Sequence, residues 1–282
     1  MDKIRQKLKM YAHHPASFLL ALLVWISAIF TAVTLIFIVG YILIKGVPHL
    51  TPQLFELEYN SENVSMFPAI INTIFMIVLS LLVAGPLGIF AAVYLVEYAK
   101  KGNKLVSVVR VTAETLTGIP SIVYGLFGML FFVTTLRWGY SMLAGAFTLA
   151  IMVLPVIMRT TEEALLAVPD TYREASFGLG AGKLRTIFVV ILPSAVPGIF
   201  SGVILSIGRI VGETAALMYT AGTVAELPDS VMSSTRTLSV HMYSLASEGL
   251  YVNQAYATAV VLLVIVLVIN WLSGRIARKI KK

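Results

Sequence analysis

The hydrophobic positions of this chain fall into six long stretches separated by shorter polar segments. They cover roughly residues 18–44, 67–96, 112–135, 141–158, 194–218 and 255–274. A helix that crosses a bilayer needs about 20 mainly apolar residues, and each stretch meets or approaches this length. Only helices and closed barrels satisfy their backbone polar groups in lipid, and these runs are continuous rather than alternating. The pattern therefore predicts an all-α polytopic membrane protein with six transmembrane helices.

The polar outer segments carry a weaker signal of their own. Between the fifth and sixth stretches, Leu238, His241, Met242 and Leu245 recur at helical spacing. This spacing predicts a further helix that lies on the outer surface or dips back into it.

The basic residues are unevenly divided between the two sides of this predicted bundle. Of the 21 Lys and Arg, 17 flank the spans on one side, three lie on the other side (Lys45, Arg137, Arg236), and Arg209 is inside a span. The basic side comprises the N-terminal flank, the segments 100–110 and 159–185, and the C-terminus. By the positive-inside rule both termini and the 159–193 region are expected on the cytoplasmic side.

Composition supports a membrane protein and removes other classes. The chain is 58% hydrophobic and 12% charged, with a mean hydropathy of +0.89. The net charge of +7 is explained by the basic residues on the predicted cytoplasmic side, so we expect no nucleic-acid partner. There is no cysteine, which excludes disulfides. The first apolar stretch is longer than a signal-peptide core of about 7–15 residues, and we expect it to remain as an anchor.

A polar and basic segment, Glu174 to Pro193, interrupts the apolar runs with the sequence EASFGLGAGKLRTIFVVILP. Pro169 should stop the preceding helix, and Asp170 or Thr171 should cap a short helix that starts near Tyr172. Gly180 should let the chain turn back toward the membrane. A short helix with small and aromatic residues on one side suits a groove in a partner protein.

This segment resembles the EAA element of bacterial ABC-importer permeases: E-A-A, three residues, Gly, nine residues, then I-x-L-P. Two positions depart from the pattern: Ser176 replaces the second Ala, and Val190 replaces the Ile. Each keeps the size or the character of the residue it replaces. In such permeases the element receives force from a separate ATPase. The resemblance therefore implies a six-helix fold with the MetI-like core of type I importers. It also implies an ATPase-coupling role for Glu174, Ala175, Gly180, Leu192 and Pro193. The alternative is an ordinary cytoplasmic loop helix.

Two opposite charges lie inside the fifth stretch. Arg209 and Glu213 are four residues apart, so on one helix they would share a face and could pair. Charges at this depth are costly and are usually tied to function. One interpretation is a salt bridge that locks helices, and the other is a pathway residue that meets an anionic substrate.

Two further motifs indicate which group of ABC-importer permeases the chain resembles. The sequences GRIVGETAAL and TGIPSIVYGLFG resemble signatures of phosphate-specific ABC permeases of the PstA type. The resemblance covers most of residues 67–275 and implies phosphate as substrate, with Arg209, Glu213, Thr214 and Ser121 along its pathway. It also implies a second, homologous permease of the PstC type, two ATP-binding subunits of the PstB type and an extracytoplasmic phosphate-binding protein of the PstS type.

The expected organisation follows from these motifs. Residues 1–66 form a basic leader, the first helix and an outer loop; residues 67–275 form the permease domain; residues 276–282 form a basic cytoplasmic tail. The protein would lie in the bacterial cytoplasmic membrane, in contact with lipid, as one half of a phosphate pathway driven by a separate ATPase.

No covalent chemistry is expected of this chain. The run GLGAGK lacks both the earlier Gly and the following Ser or Thr of a phosphate-binding loop, so ATP and Mg²⁺ belong to the partner ATPase. The four histidines have no metal-ligand spacing, and we predict no catalytic, cofactor or metal site. Two alternatives stay open: an ABC permease for another oxyanion, such as sulfate or molybdate, and a stand-alone secondary transporter.

Overall fold

The structure is a computed structural model that describes residues 15–100 and 102–280, with side chains as far as Arg275. Within these ranges the chain is helical and has no β-strand. The predicted basic leader and the last two lysines of the tail lie outside the described residues.

Within the described ranges, five helices are long and apolar enough to cross a membrane. They are α1 (Pro15–Gly46), α2 (Phe67–Tyr98), α5 (Met142–Leu166), α7 (Lys183–Gly212) and α10 (Val252–Ile280). Between them lie α3 (Lys104–Thr117), α4 (Ser121–Thr135), α6 (Asp170–Gly178), α8 (Ala215–Met218) and α9 (Leu238–Glu248).

The third predicted span is not one straight helix. It divides into α3 and α4, which are bent by 103° relative to each other. Pro120 has no N–H to donate and pushes the residue before it out of helical conformation, so α3 ends just before it. The described chain therefore has five clear spans, or six if α3 and α4 cross together as one broken span.

The core of the bundle is α5, which lies between α2 and α7. Small residues on α5, including Ala144, Ala146 and Ala150, are buried and allow close packing. Gly88 on α2 shows how close this packing is, because a Cβ there would lie 3.0 Å from the Ile157 side chain. In contrast, α1 is almost fully exposed and packs mainly on α10.

Other boundaries differ from the predicted ones. Helix α7 begins at Lys183, so Leu192 and Pro193 lie inside it rather than at its start. A wider π-type turn, Thr186–Ile191, precedes Pro193. It accommodates the proline ring, which conflicts with the carbonyl four residues earlier. The helix predicted from the spacing around His241 is confirmed as α9, which packs on α2 and α10 with Leu238, His241 and Leu245 buried. Its place on the outer side stays a prediction.

Candidate functional sites

The first candidate site is helix α6 and the turn that follows it. The predicted side-chain cap by Asp170 or Thr171 is wrong, because the helix already begins at Asp170, directly after Pro169. The Asp170 carboxylate instead accepts a hydrogen bond from Arg173 at 3.1 Å. Glu174 lies exposed in the first half of the helix and has no ion pair within the described ranges.

The turn at Gly180 is confirmed, and its geometry explains the glycine. Gly180 has φ +80°, in the left-handed region that favours glycine. Its N–H donates to Phe177 O at 2.9 Å, and Ala181 N–H donates to Ser176 O at 3.1 Å. These two bonds form a Schellman motif, which closes a helix and reverses the chain.

The solvent-facing side of this segment carries several large apolar side chains besides the polar Thr171 and Glu174. Leu179 is 90% exposed, and Tyr172, Phe177 and Leu184 are exposed as well. Ser176 faces inward, where its hydroxyl lies 2.8 Å from that of Thr186 and ties α6 to α7. Exposed apolar side chains on a short, anchored helix form a surface that a partner groove can cover.

The five predicted coupling residues do not all lie together. Glu174, Ala175 and Gly180 are exposed in α6 and its turn. Leu192 packs against the core near the start of α7, and Pro193 is exposed on α7. The first three therefore form one surface, while the last two shape the helix behind it.

The second candidate site is the end of α7, where the expected pairing of Arg209 with Glu213 does not form. The helix ends at Gly212, and Glu213 is extended (φ −74°, ψ 126°), so the two side chains do not share a helical face. The Glu213 carboxylate accepts a hydrogen bond from Ala216 N–H at 3.0 Å. There it caps α8, at an end where the helix dipole favours a negative charge.

Arg209 is consequently left without a carboxylate. It is half-buried in α7 and forms no salt bridge or side-chain hydrogen bond with any residue in 15–100 or 102–280. Tyr124 of α4 lies within electrostatic reach. Gly208 and Gly212 border open space on their helix. A positive charge on such an open face is available to an anion.

The other two predicted pathway residues border the same junction. Thr214 lies at the break between α7 and α8 and lines a cavity of about 600 Å³ together with Ile122. Ser121, the residue before Ile122, begins α4 and is half-buried. Helices α4 and α8 approach closely here, because a Cβ on Gly125 would lie 2.8 Å from Ala216 Cα.

A buried polar cluster on the predicted outer side was not expected from the sequence. The Arg236 guanidinium stacks on the Tyr59 ring at 4.7 Å, and its Nε and Nη2 are buried without hydrogen-bond partners among the described residues. His241 lies edge-on to the same ring. Burial, and then the Arg236 charge, lower the pKa of His241 to about 3, while the Val64 backbone acts in the opposite direction. The helical spacing that predicted α9 included His241 but not its partners: Arg236 lies just before the helix, and Tyr59 lies in a distant loop.

Residues 84–282 match the family described as "Binding-protein-dependent transport system inner membrane component". The chain belongs to this family. It is therefore a multi-pass inner-membrane component of a binding-protein-dependent transport system, and the alternative of a stand-alone secondary transporter is excluded.

Among its relatives, the probable ABC transporter permease protein YqgI of Bacillus subtilis is 34% identical and covers 90% of this chain and 94% of its own length. The phosphate transport system permease protein PstA of Pasteurella multocida is 40% identical over 72% of each chain. That of Haemophilus influenzae is 32% identical over 95% of this chain and 96% of its own.

Solved structures share the fold. A bacterial alginate ABC transporter chain superposes with a TM-score of 0.70 over 96% of this chain and 98% of its own, at 17% identity. A chain of the MetNI methionine ABC transporter gives a TM-score of 0.61 over 77% of this chain and 94% of its own, at 21% identity. These likenesses confirm the predicted importer-permease fold.

Proposed function

We propose that this chain is a permease subunit of an ATP-driven importer of inorganic phosphate and forms one half of the translocation pathway. Relatives named as phosphate transport permeases, at 32–41% identity, support this substrate. The chain performs no catalysis itself, because a separate subunit binds ATP and Mg²⁺ and hydrolyses the ATP.

The observation that carries the proposal is the unpaired guanidinium of Arg209. A charge within a span is costly, and a fold that needed only a helix lock would place a carboxylate beside it. Glu213 is close in sequence but is bound to the N-terminus of α8. The arginine is thereby free to offer planar, bidentate donors to a phosphate anion. Thr214 and Ser121, at the same junction, would add hydroxyl groups along the path.

The energy would enter at α6. We infer that the exposed apolar side of α6 and its turn lies in a groove of the ATPase. Glu174 would lie at the edge of this groove, and Gly180 would form the turn that ends α6. Its partners would be two ATP-binding subunits, a second, homologous permease, and a phosphate-binding protein on the outer face. These correspond to the PstB, PstC and PstS types. Closure of the ATPase would then rock the bundle between outward and inward access.

The proposed orientation has both termini in the cytoplasm. The unequal distribution of basic residues supports it. Contacts between α6 and the end of α2 put residues near 97 and near 173 on one side, in agreement with that distribution.

Uptake measurements test the proposal. The chain would be reconstituted in liposomes with its partner permease, ATPase and binding protein, and radiolabelled phosphate uptake followed with and without ATP. We expect ATP-dependent uptake that arsenate competes and sulfate does not. Uptake that sulfate or molybdate competes better than arsenate would replace phosphate by another oxyanion.

A further inference from the structure

The inward side of α6 carries one arginine that reaches two other helices. Arg173 points away from the exposed apolar side, and only 16% of its side chain is exposed. Its Nη2 donates to Oε1 of Glu97 at 2.7 Å, and its Nε donates to the same oxygen at 3.2 Å. Glu97 lies in the wide last turn of α2, and 9% of its side chain is exposed. The two residues form a fork-shaped ion pair that is largely shielded from water.

The other donors of the same guanidinium hold the end of α5. Nη1 donates to Val168 O at 2.9 Å, and Nη2 donates to Leu165 O at 3.1 Å. The last carbonyls of a helix have no partner within the helix, so Arg173 closes the end of α5. With its bond to Asp170, all five N–H donors of the guanidinium are in use. One side chain therefore joins α6 to the cytoplasmic ends of α2 and α5.

The two ion pairs of Arg159 on this side are of a different kind. Arg159 pairs with Glu114 and Glu163, and these three side chains are between 53% and 66% exposed. Exposed pairs are screened by water and contribute little, whereas the loss of one partner from a shielded pair leaves an uncompensated charge. Among the described ion pairs, Arg173–Glu97 is shielded on both partners, whereas in the Arg110–Glu162 pair the arginine is 47% exposed.

The segments that connect α6 to its neighbours along the chain would not by themselves hold it firmly in place. A short connection joins it to α5, and the turn around Gly180 joins it to α7. Without side-chain bonds, a push on α6 could be absorbed by rotation at these links. The Ser176–Thr186 hydrogen bond fixes α6 to α7, and the Arg173 contacts fix it to α2 and α5.

From this geometry we propose that Arg173 and Glu97 are positioning residues that pass the displacement of α6 to α2 and α5. The ATPase would bind the exposed side of α6, and the ion pair on its inward side would move the membrane helices. This inference rests on the proposed function, because it assumes that a partner ATPase pushes on α6. It predicts that breaking the pair separates ATP hydrolysis from transport and leaves the ATPase bound.

The test uses the complete complex of both permeases, ATPase and binding protein in liposomes. Glu97→Gln removes one charge and keeps the shape of the side chain. Arg173→Lys keeps the charge and loses the donors to α5. Three quantities are measured for each variant: the amount of ATPase that copurifies, ATP hydrolysis, and uptake of radiolabelled inorganic phosphate. Glu163→Gln is the matched control, since it makes the same substitution in an exposed ion pair on the same side.

In Glu97→Gln we expect normal copurification and a fall in phosphate imported per ATP. Coupling between sites typically amounts to about 5- to 150-fold, and the fall should lie in this range. Arg173→Lys should give a smaller fall, and Glu163→Gln should leave the ratio unchanged.

An unchanged ratio in both variants would overturn the inference. Loss of the ATPase from either variant would overturn it as well, because the pair would then serve to shape the docking surface or the fold. If the unaltered complex binds the ATPase but does not import phosphate, the substrate proposal fails. The ratio of hydrolysis to conformational change, followed by a fluorescent label on α5, still tests the pair in that case.

Discussion

The unpaired charge in α7 makes a quantitative prediction. Replacement of Arg209 by Gln removes the positive charge from a half-buried position and leaves a shorter, neutral polar side chain. A guanidinium and a singly charged phosphate about 4 Å apart attract each other by about 4 kcal/mol at an effective dielectric constant of about 20. Since about 1.4 kcal/mol corresponds to a tenfold change, uptake should fall by up to about 1000-fold.

Arg209→Lys separates charge from geometry. Lysine keeps the positive charge but presents a single ammonium group in place of a planar fork. A hydrogen bond to a charged group contributes about 1.5–3 kcal/mol, so this variant should lose roughly 10- to 100-fold. The assay is ATP-dependent uptake of radiolabelled phosphate by the reconstituted complex, with assembly checked by copurification of all subunits.

Glu213→Gln is the matched control for this prediction. The carboxylate of Glu213 caps α8, and an amide oxygen can still accept the hydrogen bond from Ala216 N–H. We expect this variant to lose about 1 kcal/mol of stability, from the weaker interaction with the helix dipole, and to keep most of its uptake. The exchange Arg209→Glu with Glu213→Arg should fail, because arginine cannot accept that bond. Full uptake by Arg209→Gln would refute the pathway role of the arginine.

Three further predictions follow from particular positions. At Gly180, φ is +80°, so Gly180→Val should cost about 1–2 kcal/mol of backbone strain and weaken ATPase copurification, while Gly180→Asn should be tolerated; equal copurification of both variants would contradict this. Single cysteines placed at Asn60 and Gly182 should respectively react with and resist an impermeant thiol reagent in intact cells, and labelling at Gly182 would overturn the proposed orientation. The pKa of His241 is lowered to about 3, below its usual value of about 6.5, so folding stability should decline as pH falls below about 6.5. In thermal unfolding scans, His241→Phe should reduce that decline. An identical pH profile for both proteins would show that the histidine is accessible.

Hydropathy alone was sufficient to find the five long spans, because burial in lipid requires a continuous run of apolar residues whatever their partners are. Because hydropathy is averaged over a window of residues, it did not reveal the break between α3 and α4. Gly118 and Pro120 mark it in the sequence, but they lie within an apolar window whose mean remains high. A local signal, the residue before a proline, decides the backbone there even though the composition suggests one span.

In the candidate sites too, features set by neighbouring residues could be predicted, whereas contacts between distant residues could not. Gly180 was predictable because a Schellman turn depends on residues within one helix end. The pairing of Arg209 with Glu213 was predicted wrongly, since four-residue spacing has its meaning only while the helix continues, and α7 stops at Gly212. The bond between Arg173 and Glu97 joins residues 76 positions apart and has no signature in a single sequence.

One helix joins the two candidate sites, and this connects their functions. Helix α7 begins beside α6, where Thr186 bonds to Ser176, and it ends just beyond Arg209. At a rise of about 1.5 Å per residue, these two points are about 35 Å apart along the helix. A tilt of about 5° at the cytoplasmic end would therefore move the guanidinium by about 3 Å, which is close to the length of a hydrogen bond. With the proposed coupling to the ATPase, small displacements of α6 would thus be large enough to bring Arg209 to an anion or withdraw it. The wide turn before Pro193 is the place where α7 can absorb part of that motion, so a substitution that straightens it should change the timing of transport rather than substrate choice.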